Sequence, residues 1–173
     1  PLSTPKPGWA EQDPQDWWDA VVKSVRAIIA KAALPANEIA GLSLSGQMHG
    51  LVALDKDMQV IRPAMLWCDQ RTQKQCDWIT EKAGGLDELV KLTNNRMLTG
   101  YTGGKILWLR DEEPENFARM KIFCCPKDYI RFRLTGRVLT DVSEASGTGF
   151  FDTKNRVWAD GLIALAGLDK AIF

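Results

Sequence analysis

The sequence predicts an α/β or α+β domain in which a sheet is flanked by helices. Apolar residues recur at helical spacing across residues 17–32 and again in several segments between residues 70 and 134. Short runs rich in Leu, Ile and Val, separated by turn residues, lie between these two regions. With 173 residues, 45% of them hydrophobic, the chain is long enough for one domain with its own core. The mixture of the two periodicities is typical of helices layered on a sheet.

The first helix is predicted to begin at Asp13 and Pro14, which are a suitable N-cap and first-turn pair. The tryptophan pair of this helix, Trp17 and Trp18, is expected to lie in the core. One face of the helix is apolar. Its residues are Trp17, Trp18, Val21, Val22, Val25, Ile28, Ile29 and Ala32.

Three strands are predicted from the apolar runs at 39–44, 51–54 and 60–66, the second and third antiparallel through the turn LDKDMQ. Helical patterns follow at 70–83, 85–92, 103–112 and 126–134. Gly136 is expected to end the last of these helices. Two short strands in RVLTD and GTGFFD and a closing helix in RVWADGLIALAGL complete the prediction.

Composition excludes several classes of function. The formal net charge is zero and no basic run occurs, so neither nucleic acid nor a membrane surface is an expected partner. No apolar stretch approaches the ~20 residues that span a bilayer, and no signal peptide is expected. The four cysteines form no C-x-x-C pair, so we expect reduced thiols in a cytoplasmic protein and no zinc site.

The segment SGQMHG, residues 45–50, follows the first predicted strand and holds the only histidine of the chain. Ligand sites in α/β proteins favour strand ends, and Gln47 and His49 can each bind hydroxyl groups. The residues alone leave two interpretations open, a recognition site for a small polar ligand or a turn whose histidine bonds to the backbone.

The segment LWCDQR follows the third predicted strand and also has two interpretations. Asp69 and Arg71 could be a helix cap and a surface charge, or they could frame a polar pocket beside His49. The Ser/Gly/Thr-rich segment SEASGTGFFD lacks the pattern of a phosphate-binding loop and is interpreted as a structural loop.

Six segments occur in an order and at spacings similar to one known family. They are GWAEQDPQDWW, GLSLSGQMHGLVALD, IRPAMLWCDQR, GYTGGKILWLRDEEPE, PKDYIRFRLTG and DVSEASGTGFFD. Together they resemble the FGGY carbohydrate kinases and, within that family, the bacterial xylulokinases. The segment 100–112 is similar to the family signature, in which Lys-apolar-x-Trp follows a small residue and a Ser, Thr or Pro.

The resemblance implies an actin-like, ribonuclease H-like fold whose two domains close on ATP and a sugar. It implies phosphorylation of D-xylulose to D-xylulose 5-phosphate with ATP and Mg²⁺. By the same resemblance Met48 and His49 bind the sugar, with Gln47 in the same segment. Asp69 and Arg71 are expected near the sugar site, and the loop 98–103 is expected to face it.

The resemblance also indicates what residues 1–173 lack. They are expected to be part of the N-terminal, sugar-binding domain, without the first phosphate-binding strand and the C-terminal domain. No catalytic residue or metal ligand is expected here, because the general-base aspartate should follow position 173. We therefore expect this segment alone to be inactive and the intact protein to act in the cytoplasm, with a homodimer as one arrangement.

Two alternatives to D-xylulose phosphorylation remain at this stage. The intact protein could be a kinase of the same family for another sugar or polyol, such as ribulose, gluconate or glycerol. The segment by itself could be a non-catalytic binding or assembly module on the same scaffold.

Overall fold

A computed structural model describes residues 1–33 and 35–173. The helices are α1 (Pro14–Ala32), α2 (Gln73–Lys82), α3 (Leu86–Thr93), α4 (Thr102–Glu112), α5 (Pro114–Arg119), α6 (Pro126–Thr135), α7 (Val142–Ser146) and α8 (Asp160–Leu165). The strands are β1 (Glu11–Gln12), β2 (Val52–Leu54), β3 (Ala64–Met65), β4 (Ile122–Cys124), β5 (Phe151–Asp152) and β6 (Val157–Trp158). None of the described helices is long and apolar enough to cross a membrane.

The strands form three short antiparallel pairs, β1 with β3, β2 with β4 and β5 with β6. The predicted hairpin is confirmed, because isolated antiparallel bridges join Leu54 to Val60 and Leu51 to Met65. β2 is fully buried, which is typical of a strand with a continuous apolar run.

The strand predicted at 39–44 is wrong, because these residues have no regular secondary structure. Ile39 and Leu42 are 45% and 58% exposed. A strand is defined by the neighbour to which its backbone bonds, and no described residue pairs with this segment. The apolar run therefore predicts an extended chain here but cannot supply the partner.

α1 begins as predicted, with Asp13 accepting from the Gln15 N–H at 2.8 Å and Pro14 in the first turn. Its apolar face is only partly covered. Trp17, Trp18 and Val21 pack against a small core cluster around β2 and β4, whereas Ile28 is 66% exposed. The expectation that the tryptophan pair belongs to the core is therefore confirmed in part, because both rings pack against this cluster but are only partly buried.

The main core surrounds α4, where every residue from Thr102 to Leu109 is buried. Two glycines allow this close packing. A Cβ on Gly103 would lie 2.5 Å from the Thr148 carbonyl, and one on Gly104 would lie 2.8 Å from Cys76 Sγ. A larger residue at either position would push α4 away from its neighbours.

The other predicted helices are present within a few residues, and Gly136 ends α6 at φ 71° as expected. RVLTD forms no strand, which contradicts the prediction, and β1, β4, α5 and α7 had not been predicted. The start of RVWADGLIALAGL forms β6, and only its later part forms the predicted closing helix, α8. All four cysteines are free, and Cys76, Cys124 and Cys125 are buried.

Candidate sugar-binding site

The SGQMHG segment forms a tight turn at His49. Its backbone is left-handed, with φ 67°, and the Gly50 N–H bonds to the Met48 carbonyl at 2.8 Å. A residue with a Cβ rarely adopts this conformation, so surrounding contacts must stabilise it. Gly50 allows the turn to lie against α6, because a Cβ there would be 2.6 Å from Pro126 Cγ.

The His49 ring is held on two sides. It stacks on Tyr101, with ring centroids 4.7 Å apart and planes 19° apart. Its Nδ1 lies 2.9 Å from the Gly147 carbonyl. A carbonyl oxygen only accepts, so Nδ1 must carry the proton. In the neutral ring Nε2 is then an acceptor, and it has no protein hydrogen bond within residues 1–33 and 35–173.

The electrostatics of the site favour this neutral ring. Burial lowers the pKa of His49 below its usual 6.5; the hydrogen bond to Gly147 opposes the shift, and the positive charge of Lys105 adds to it. At neutral pH the ring therefore offers the lone pair of Nε2, which suits a ligand hydroxyl that donates.

The backbone of the turn is anchored to α4. The His49 carbonyl accepts from Thr102 Oγ1 at 3.1 Å and from Lys105 Nζ at 3.0 Å. The same ammonium also donates to the carbonyls of Gly100 and Tyr101. Both Thr102 and Lys105 are fully buried.

Met48 lies beside His49, because a Cβ on Gly147 would be 3.3 Å from Met48 Cε and 2.5 Å from His49 Nδ1. Gln47 has a different environment. Its amide donates to Gln12 at 3.3 Å, and it lines a groove with Trp17 and Ile130. The structure thus brings Met48 and His49 together. Gln47 shares none of the described contacts of the His49 ring or of the Met48 thioether.

Asp69 and Arg71 form a buried ion cluster of their own. Arg71 donates to both Asp69 oxygens and pairs with Glu11 at 2.8 Å, and both side chains are at most 1% exposed. The guanidinium lies 3.6 and 4.9 Å from the ring centroids of Trp9 and Trp108, which pack edge to face against each other. Asp69 also accepts from the Ala10 N–H at 2.7 Å, so its oxygens are engaged within the protein.

The described contacts of Asp69 and Arg71 include none with Gln47, Met48 or His49. Their position beside the third strand is as the sequence predicts, but the surface charge suggested by the alternative interpretation of Arg71 is wrong. The pair anchors the segment 66–71 to the N-terminal segment, and Trp67 in the segment 66–71 is 56% exposed.

Sequence reasoning missed Gly147 and the role of Lys105. SEASGTGFFD was interpreted as a structural loop, yet Gly147 in it bonds the His49 ring. Tyr101 and Thr102 fall within the loop 98–103 that was expected to face the sugar, and Tyr101 does contact His49. Within residues 1–33 and 35–173, no group of three or more His, Cys, Asp or Glu could hold a metal ion.

The family model described as "FGGY family of carbohydrate kinases, N-terminal domain" matches residues 1–173. The chain belongs to the FGGY carbohydrate kinase family. A xylulose kinase of Bacillus subtilis is 42% identical over 99% of this chain and 34% of its own length.

Solved structures of FGGY kinases share the fold. A "xyloylose kinase" from Brucella ovis superimposes with a TM-score of 0.93 at 35% identity, covering 100% of this chain and 36% of that chain. A gluconate kinase from Lactobacillus acidophilus gives 0.89 at 30% identity, covering 99% and 34%. The fold is that of the N-terminal domain of these actin-like kinases, and the chain spans about a third of the length of the relatives it matches.

Proposed function

We propose that the full-length protein that contains this chain phosphorylates D-xylulose with ATP, giving D-xylulose 5-phosphate. The observation that carries the proposal is the His49 turn, where Nδ1 of a neutral imidazole is held by Gly147, Nε2 has no partner among the described residues, and Met48 lies near the ring. Membership of the FGGY family and similarity to the Bacillus subtilis xylulose kinase support this substrate class.

The residues of this chain would orient the sugar. Phosphoryl transfer requires an acceptor hydroxyl held in line with the donor, and most of the catalysis is positioning and charge stabilisation. Nε2 of His49 would accept from one sugar hydroxyl, and Met48 would cover the carbon chain. Asp69 and Arg71 are proposed to support the edge of the sugar site by holding residues 66–71 in place. ATP, Mg²⁺ and the proton-accepting aspartate are assigned to residues outside 1–173.

Gluconate is the strongest alternative substrate, because the Lactobacillus acidophilus gluconate kinase has the same fold at a TM-score of 0.89. A gluconate site must also match a carboxylate. Lys105, the cation that contacts the His49 turn, already donates to three carbonyls. Arg71 is matched by Asp69 and Glu11. This arrangement favours an uncharged hydroxyl compound.

The test is an ATP-coupled assay of the full-length protein with D-xylulose, D-ribulose, D-gluconate and glycerol. The highest kcat/KM is expected for D-xylulose. In His49→Ala the KM for D-xylulose should rise about 10- to 100-fold, because a sugar hydroxyl loses its partner. The KM for ATP should change less than about twofold. Lys74→Ala, at an exposed position of α2, is the matched control and should leave both constants unchanged.

Two outcomes would overturn the proposal. A higher kcat/KM with gluconate, ribulose or glycerol would reassign the substrate. An unchanged KM for D-xylulose in His49→Ala would remove the role of His49. The 173-residue chain alone is expected to turn over no ATP, and turnover would show that the phosphate site lies within it.

A further inference from the structure

Lys105 is a fully buried cation, and no carboxylate of the described residues forms an ion pair with it. The negative charge of Asp69 opposes the effect of burial on the pKa of Lys105, but the Asp69 oxygens already bind Arg71 and the Ala10 N–H. Burying an ammonium costs several kcal/mol unless its hydrogen bonds are replaced. The buried ammonium of Lys105 therefore requires hydrogen-bond acceptors within the protein.

The compensation is three backbone carbonyls that converge on one nitrogen. Lys105 Nζ donates to His49 at 3.0 Å, to Gly100, and to Tyr101 at 3.3 Å. An ammonium is the side-chain group that carries three donors on a single atom, so the number of donors equals the number of acceptors. Gln offers two donors at this position and Met offers none.

These carbonyls belong to the two segments that build the proposed sugar site. One is the left-handed turn at His49, and the other is the turn that presents the Tyr101 ring to the His49 ring. Thr102 adds a second donor to the His49 carbonyl at 3.1 Å. Two donors on one carbonyl compensate a backbone conformation that a histidine rarely adopts.

We propose that Lys105, together with Thr102, is the positioning residue of the His49 turn and sets affinity for the sugar without touching it. The inference rests on the proposed function in that its kinetic test uses D-xylulose, whereas its structural test does not depend on the substrate. Lys105 acts through His49, so its effect on sugar binding must depend on the His49 ring being present.

The kinetic test uses Lys105→Met and Thr102→Val in the full-length protein, each alone and combined with His49→Ala. Lys105→Met should raise the KM for D-xylulose about 10-fold, with a smaller rise for Thr102→Val and kcat changed less than about threefold. In the His49→Ala background both effects should fall below about twofold. Equal effects in the two backgrounds would overturn the proposal, because Lys105 would then act independently of His49.

The structural test is the ¹H–¹³Cε1 NMR signal of His49, assigned by its loss in His49→Gln. Lys105→Met should shift this signal as the ring leaves Tyr101, and Thr102→Val should do so in part. A folded Lys105→Met or Thr102→Val protein with an unshifted signal would contradict the positioning role. If Lys105→Met does not fold, Thr102→Val carries both tests.

The two proposals fail separately. Absence of D-xylulose phosphorylation by the wild type would refute the proposed function and leave the NMR test intact. If the wild type phosphorylates D-xylulose but neither variant changes the His49 signal or the KM, the positioning role alone is refuted.

Discussion

The buried ammonium of Lys105 should make the stability of the chain depend on pH in a specific window. Burial lowers the pKa of Lys105 from 10.5 to about 8, against the opposing attraction of Asp69. Between pH 8 and 10.5 the unfolded state therefore binds more protons than the folded state. Stability should rise with pH across this window and be flat, as far as Lys105 is concerned, on either side of it.

The size of this effect follows from the width of the window. Each pH unit is worth about 1.4 kcal/mol for one fully titrating proton, so Lys105 should contribute a gain of about 3 kcal/mol. Buried thiols act in the opposite direction, because burial raises the pKa of Cys76 and Cys125. The quantity to measure is therefore the difference between the wild type and Lys105→Met.

The assay is urea unfolding of the 173-residue chain, followed by circular dichroism between pH 7.5 and 10.5. Lys105→Met should be less stable because three backbone carbonyls lose their donor. The unfolding free energy of the wild type should rise by about 3 kcal/mol relative to that of Lys105→Met as the pH increases. Lys74→Met, exposed on α2, should follow the wild type. Parallel curves for wild type and Lys105→Met would refute the reasoning.

Two further variants test the packing of the site. Gly147→Ala places a Cβ 2.5 Å from His49 Nδ1, so the KM for D-xylulose should rise at least about fivefold in the full-length protein, whereas Gly161→Ala, with open space around it, should not affect the KM. An unchanged KM for Gly147→Ala would show that the ring position is unimportant. Asp69→Asn should lower the unfolding free energy by about 3–5 kcal/mol, since it leaves a buried guanidinium short of charge. Urea unfolding measures this loss, with Asp57→Asn at an exposed position as the control, whose unfolding free energy should stay within about 0.5 kcal/mol of the wild type. Equal losses in the two variants would contradict the role of the buried Asp69–Arg71 pair.

Much of the fold could be predicted because its signals are local. Asp13 and Pro14 mark the start of α1, and the apolar run of β2 marks a buried strand. The segment 39–44 shows where local signals end. Its composition is that of a strand, but its hydrogen-bonded state depends on a neighbour that a single segment cannot specify.

The candidate site was predicted only in part, for the same reason. His49 and Met48 stand out in the sequence because a histidine and a methionine lie between two glycines, although the strand predicted before them is not formed. The partner of the His49 ring is the carbonyl of Gly147, 98 residues away, and a backbone carbonyl has no sequence signature. Likewise a lysine on a predicted helix is usually solvated, and nothing in the pattern around Lys105 shows that three carbonyls converge on it.

The same buried charge connects the stability and the recognition of this site. Lys105 holds the backbone of His49 and also contributes to the lowered pKa of its ring. An imidazole that stays neutral keeps Nδ1–H on the Gly147 carbonyl and the lone pair on Nε2. Replacing Lys105 by an apolar residue would remove the cost of burying a cation but would leave the turn without its main donor. A buried lysine here therefore costs stability below pH 8, while its hydrogen bond to the His49 carbonyl holds the turn in which Gly147 fixes the ring tautomer.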